Sequence, residues 1–147
     1  MSANPQLAQS YVGRCIYHPD YGSDPDRLLV AIPRLLQGQP PLVFALLDKA
    51  SPWSMLPASL SIDLGCDMSP DPYVPPLRTA RVGRIAGRFE RLWVQFPPSD
   101  GDPLDVLVTF YLSPDWSGPL VIGWKGCLEG LRFALDPGED RFYFAPL

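Results

Sequence analysis

Short apolar runs broken by proline and glycine set the rhythm of this chain. Residues 28–32 are aliphatic, Leu42-Val43-Phe44-Ala45-Leu46-Leu47 forms a second run, and Gln37-Gly38-Gln39-Pro40-Pro41 punctuates between them. Runs of this length bounded by turn residues predict two strands joined by a turn. The second has no polar position and is expected to be buried on both faces. Residues 106–112 predict a strand from their β-branched and aromatic content, and Leu120-Val121-Ile122 predicts a short buried strand ended by Gly123. Residues 132–135 and 142–144 are expected to be extended on either side of the turn Asp136-Pro137-Gly138-Glu139-Asp140, and residues 124–131 to form a brief helix. Residues 67–76, 97–103 and 114–119 are rich in turn formers and predict connections. The polar start of the chain, with the turn-like run His18-Pro19-Asp20-Tyr21-Gly22-Ser23-Asp24-Pro25, predicts an N-terminal arm over residues 1–26 whose edge strand spans residues 11–17.

Residues 77–96 obey two periods at once. Val82, Ile85, Ala86, Phe89 and Leu92 recur at helical spacing, with Arg78, Arg81, Arg84, Arg88 and Arg91 on another face. Against a helix stand Gly83 and Gly87, each costing roughly 1 kcal/mol in a helix interior. Residues 89–96 also alternate as a strand does, so a β-hairpin is predicted here.

At 147 residues, with 46% hydrophobic and 19% charged positions, the chain suits one globular domain, drawn here as residues 27–147 behind the arm. Nineteen prolines and 12 glycines leave little room for long helices, so the expected class is mainly β. A net charge of -4 gives no whole-molecule attraction to nucleic acid, and the arginine series is expected to be a solvated hairpin face. The N-terminal residues lack a basic start followed by an apolar run, and no stretch is long enough to cross a bilayer, so a cytoplasmic protein without membrane contact is expected. Cys15, Cys66 and Cys127 form no close pair and are expected to be reduced thiols. His18 is the sole imidazole and sits in a turn, so neither a metal site nor a cofactor is expected. Serine-nucleophile and phosphate-loop motifs are absent, and Trp53, Trp93, Trp116 and Trp124 lie within or beside apolar segments, as packing residues do. Asp100, Asp102, Glu139 and Asp140 fall in turns.

One segment carries candidate chemistry. Ala45-Leu46-Leu47-Asp48-Lys49-Ala50-Ser51-Pro52-Trp53-Ser54-Met55-Leu56-Pro57 resembles the motif of retropepsin-type aspartic proteases: an apolar strand, Asp-Thr-Gly-Ala, a few residues, Ser, then two apolar positions. Asp48 falls on the catalytic aspartate, Lys49 on the threonine, Ala50 on the glycine and Ser51 on the alanine, while Ser54, Met55 and Leu56 match the rest. The similarity covers roughly residues 28–144. In it the segment Gly83, Arg84, Ile85, Ala86 and Gly87 takes the place of the flap over an extended peptide, and Val121-Ile122-Gly123 that of the element crossing beneath the catalytic loop.

The resemblance implies a closed β-barrel with one short C-terminal helix, and a homodimer in which each chain supplies one carboxylate. Two such groups a few ångströms apart cannot both ionise, so they share a proton and activate one water. Peptide contacts are expected at Ala50, Ser51 and residues 83–87. Lys49 and Ala50 depart from the motif: a long cation cannot copy a threonine hydroxyl, and a Cβ at Ala50 narrows the backbone's choices. The expected function is a domain that binds an extended peptide or self-associates, with catalysis impaired. Two alternatives stand beside it: an active homodimeric aspartic peptidase using Asp48 from each chain, and a module that binds nucleic acid or an acidic partner through residues 78–91.

Overall fold

The structure is a computed structural model that describes residues 5–19, 26–31 and 42–147; the run from Asp20 to Pro25 and the turn Gln37-Gly38-Gln39-Pro40-Pro41 lie outside the described residues. In chain order the elements are α1 (Pro5–Ser10), β1 (Gly13–Ile16), β2 (His18–Pro19), β3 (Asp26–Ala31), β4 (Leu42–Leu47), β5 (Ser54–Leu56), α2 (Ala58–Asp63), β6 (Leu77–Thr79) and β7 (Gly83–Ile85). There follow β8 (Arg88–Phe96), β9 (Asp100–Gly101), β10 (Leu104–Leu112), β11 (Leu120–Ile122), a single 3-10 turn (Leu128–Gly130), β12 (Leu131–Asp136) and β13 (Arg141–Pro146). The mainly β class read from the sequence is what the chain adopts.

Alternation along three strands decides the architecture. Side chains on a strand point to opposite faces in turn, so an unbroken apolar strand must be covered on both sides. On β5, β10 and β11, Leu56, Phe110, Leu112, Leu120 and Ile122 enter the main core, while Met55, Tyr111 and Val121 enter a smaller cluster on the opposite face. Ile85 and Trp116 complete that smaller cluster, with Val74, Leu77 and Phe89 packed against it. The hairpin β6–β7 is thus set over one face of the sheet by burial of apolar surface.

The large sheet has the order β2-β3-β4-β11-β5-β10-β8. β11 runs parallel to β4 from Leu120↔Ala45 to Ile122↔Leu47, and β5 runs parallel to β10 from Ser54↔Phe110 to Leu56↔Leu112. β8 and β10 form an antiparallel pair nine residues long, from Leu104↔Phe96 to Leu112↔Arg88. The sheet curls until β8 meets β3 at the one pair Ala31↔Gln95, so the continuous ladder of a closed barrel is absent among the described residues. A second sheet, β12-β13-β1-β9, lays Phe142, Phe144, Leu131 and Cys15 on the same core, where Phe96 meets Phe142 edge-on and Phe144 at a tilt, at centroid distances of 6.0 and 5.7 Å. Among the described residues no helix is long and apolar enough to cross a membrane.

Several expectations shift in detail. The hairpin ends at Ile85, and the alternating run after it becomes β8, which pairs with β10. β4 is covered on one side only: Ala45 is buried but Phe44 is 53% exposed. The helix expected over residues 124–131 shrinks to the 3-10 turn, because Gly126 takes a left-handed φ of 74° that interrupts it. Conversely, α2 was hidden in a stretch of mixed polarity. Pro57 precedes it, Gly65 follows with a φ of 72°, and Gly65 and Cys66 donate their N–H groups back to Ile62 and Ser61.

Burial sets the behaviour of the thiols. It pushes the Cys15 thiol from 9.0 up to about 11 and Cys127 to about 12, and it raises half-buried Cys66 as well, with Glu90 adding to that effect. Alkylation of the folded protein should label Cys66 first, with Cys15 and Cys127 labelled only on unfolding. Thiols with raised folded values leave stability intact below the unfolded value of 9.0 and remove it as pH rises through about 11 to 12. Urea midpoints across that window should fall, and a midpoint unchanged to pH 12 would show that the two thiols are not buried.

Candidate functional site

Asp48 stands where β4 ends, and its position is fixed by main-chain bonds. Its N–H donates to the Ile122 carbonyl at 3.0 Å, extending the β4–β11 ladder by one step. The chain then turns, with the Ala50 N–H donating to Asp48 Oδ1 at 3.0 Å and the Ser51 N–H to the Asp48 carbonyl at 3.1 Å. Such side-chain capture of a nearby amide is how aspartate closes a tight turn. The Ser51 hydroxyl donates to the Trp53 carbonyl at 2.9 Å, leading the chain into β5.

The end of β11 crosses this loop. Trp124 N–H donates to the Ser51 carbonyl at 2.9 Å and Lys125 N–H to that of Pro52 at 2.8 Å. Ser54, fully buried, accepts the Gly123 N–H on its hydroxyl oxygen at 2.9 Å. A Cβ at Gly123 would stand 2.5 Å from the Trp53 carbonyl oxygen and 2.8 Å from that of Ser51, so only glycine passes here. These bonds leave the loop's buried backbone groups paired, which buried backbone requires.

Over the loop lies a cleft of about 400 Å³. Asp48, Ala50, Ser51 and Trp53 form one wall, Met55, Trp116 and Val121 the floor, and Leu77, Arg78, Thr79, Ala80 and Arg81 of the hairpin the other wall. Asp48 is the one carboxylate among these lining residues. The hairpin is anchored at its root, where Tyr111 Oη donates to the Ile85 carbonyl at 3.0 Å, Ser113 Oγ to that of Ala86 at 2.6 Å, and Asp71 N–H to that of Gly87 at 3.0 Å. Its tip is closed by Thr79, whose hydroxyl donates to the Gly83 carbonyl at 2.9 Å and accepts the Val82 N–H at 3.2 Å. Gly83 takes the left-handed φ of 72° that this turn needs.

Of the residues singled out for peptide contact, Ala50 and Ser51 line the cleft beside Asp48. Gly83 and Arg84 are exposed on the second hairpin strand, Ile85 is buried beneath it, and Ala86 and Gly87 form its root. The cleft side of the hairpin is its first arm and tip, residues 77–81. Pro75-Pro76 just before Leu77 was the available signal for where that arm begins.

The two motif departures are placed without strain. Among the described residues the one non-glycine with positive φ is Asp140, so Ala50 needs no conformation that its Cβ disfavours. Lys49 is exposed and borders a second hollow of about 430 Å³, shared with Leu47, Asp48, Ala50, Leu128, Phe133 and Leu135, rather than the cleft. The arginine series does not form one face. Arg88 pairs with Asp67 at 2.7 Å and Glu90 at 3.2 Å, and Arg91, three residues further along the same strand, points to the opposite side. Among the described residues no group of three or more His, Cys, Asp or Glu is placed to hold a metal ion. Searches of protein-family models, curated proteins and solved structures find no match for this chain.

The crossing can be tested by substitution. Ser54→Ala strips the buried Gly123 amide of its acceptor and should cost about 1–3 kcal/mol, and Gly123→Ala should cost a similar amount or more through forced backbone displacement. Ser59→Ala, exposed on α2, should stay within about 0.5 kcal/mol. Urea unfolding measures all three, and wild-type midpoints for the first two would mean the crossing is not as described.

Proposed function

We propose that this chain is a retropepsin-like domain whose cleft binds an extended peptide, with hydrolysis impaired. The observation that carries the proposal is the pairing of Asp48, at the end of a sheet strand, with β6, which among the described residues has β7 as its one strand neighbour and lines the opposite cleft wall. A strand with a free edge offers N–H and C=O groups to an incoming chain, and an extended peptide satisfies them by adding as a further strand. The Ala31↔Gln95 contact supports a barrel of the retropepsin kind with a short seam. Free thiols at Cys15, Cys66 and Cys127 favour a reducing, cytoplasmic setting.

Impairment follows from the chemistry. Water activation by an aspartic pair needs two carboxylates within a few ångströms, one protonated and one not. Asp48 is the one carboxylate among the described residues lining this cleft, so its mate would come from a second copy, and Lys49 replaces the hydroxyl next to it in the motif, which a long cation cannot copy. A second reading, the homodimeric peptidase, is favoured by the hollow beside the loop. Leu47, Leu128, Phe133 and Leu135 give it an apolar lining that also reaches Asp48, and a second copy covering it would bring another Asp48 near the first.

Backbone NMR shifts of β6 and of the Asp48 loop should move on adding an extended apolar peptide, and denatured protein should survive at acid pH. Asp48→Asn keeps an oxygen for the Ala50 amide, so fold and binding should persist. Acid cleavage that Asp48→Asn and a pepstatin-like inhibitor both abolish would establish the peptidase instead. Peptides that leave β6 unmoved would remove the binding function.

A further inference from the structure

The hairpin that walls the cleft reads Leu77-Arg78-Thr79-Ala80-Arg81-Val82-Gly83-Arg84-Ile85: three arginines and no acid, in a chain where acids outnumber bases 16 to 12. Arg14 and Arg88 are each ion-paired to a carboxylate. Arg78, Arg81 and Arg84 make no ion pair or side-chain hydrogen bond to any described residue. Moreover, Arg78 and Arg84 are direct cross-strand partners, an opposition of like charges that an isolated hairpin would avoid. Arg78 and Arg81 both line the cleft. Two unpaired cations bordering a cleft with an apolar floor have the form of an unfilled half of an ion pair.

Resting on the peptide-binding function proposed above, we infer that the ligand is an acidic peptide in which carboxylate and apolar side chains alternate. The alternation comes from sheet geometry. Leu77 and Ile85 are partners on the hairpin face that packs on the small cluster, and Arg78 and Arg84 are partners on the other face. A strand added to the free edge of β6 shares those faces, because side chains of neighbouring strands point the same way. Its residue beside Leu77 therefore faces the apolar floor of Met55, Trp116 and Val121, and the next residue lies beside Arg78. An acid there neutralises the opposed arginines, and a further acid toward the tip meets Arg81.

A nucleic acid fits the same arginines less well. The floor is apolar, Asp48 lines the cleft, and the chain carries a net charge of -4, so phosphates would gain contacts at the hairpin and be repelled elsewhere. A carboxylate flanked by leucine meets none of these objections.

Three labelled peptides of the same length, alternating leucine with glutamate, glutamine or lysine, test this by fluorescence anisotropy. The glutamate peptide should bind roughly five- to tenfold tighter than the glutamine one at low salt, with the gap closing as salt is added. The double variant Arg78→Glu/Arg81→Glu should reverse the order in favour of lysine, while Arg91→Glu, outside the cleft, should leave it unchanged. Equal affinity for the glutamate and glutamine peptides, with binding still seen, overturns the charge preference and leaves the peptide cleft standing. Absence of binding by all three overturns both. Tighter binding of single-stranded oligonucleotide than of the glutamate peptide overturns the acidic-peptide assignment in favour of the basic-module alternative.

Discussion

The passage of Gly123 beneath the Asp48 loop is the constraint on which this structure turns. Where the loop meets the end of β11, the buried Gly123 amide and the Ser54 hydroxyl must find partners in the protein. Ser51 and Pro52 find theirs in the N–H groups of Trp124 and Lys125, and the Gly123 amide finds its acceptor in the buried Ser54 hydroxyl. All of this needs a residue without a side chain at the crossing point. The consequence is that Asp48 leaves β4 in one direction, toward the cleft, with its side chain already engaged by the Ala50 amide.

The second determinant is two-sided burial. Because β5, β10 and β11 are apolar at successive positions, the face turned away from the main core also demands cover, and the hairpin supplies it. The same packing that hides Ile85 therefore suspends Arg78 and Arg81 opposite Asp48. Held at its root by Tyr111 and Ser113, the hairpin forms a wall with a strand edge that no described strand pairs. Fold and cleft thus come from one pattern of apolar side chains.

Much of this was legible from the chain. The strands around Leu42–Leu47 and Leu120–Ile122, the acid after Leu47 and the glycine after Ile122 all show in short apolar runs with clear stops. The glycines at 83 and 87 overruled the helical period of residues 77–96, as the hairpin bears out. What escaped was pairing at a distance. Nothing local tells that residues 88–96 leave the first hairpin to join β10, since strand alternation is the same whichever partner is taken. Nor does periodicity reveal the side of a hairpin that meets a cleft, which is why Gly83 to Gly87 were assigned to the peptide and Arg78 and Arg81 to a separate basic stripe. The short helix α2 was masked because Ser59, Ser61 and Asp63 interrupt its apolar pattern.

Native-state hydrogen exchange read by NMR tests the crossing most directly. The amides of Asp48, Gly123, Trp124 and Lys125 should exchange with the core strand β10, through global unfolding, and Ser54→Ala should release the Gly123 amide ahead of the rest. Exchange of these amides at the rates of an exposed loop in the folded protein would contradict the account, for Asp48 would then have no fixed place from which to meet a ligand.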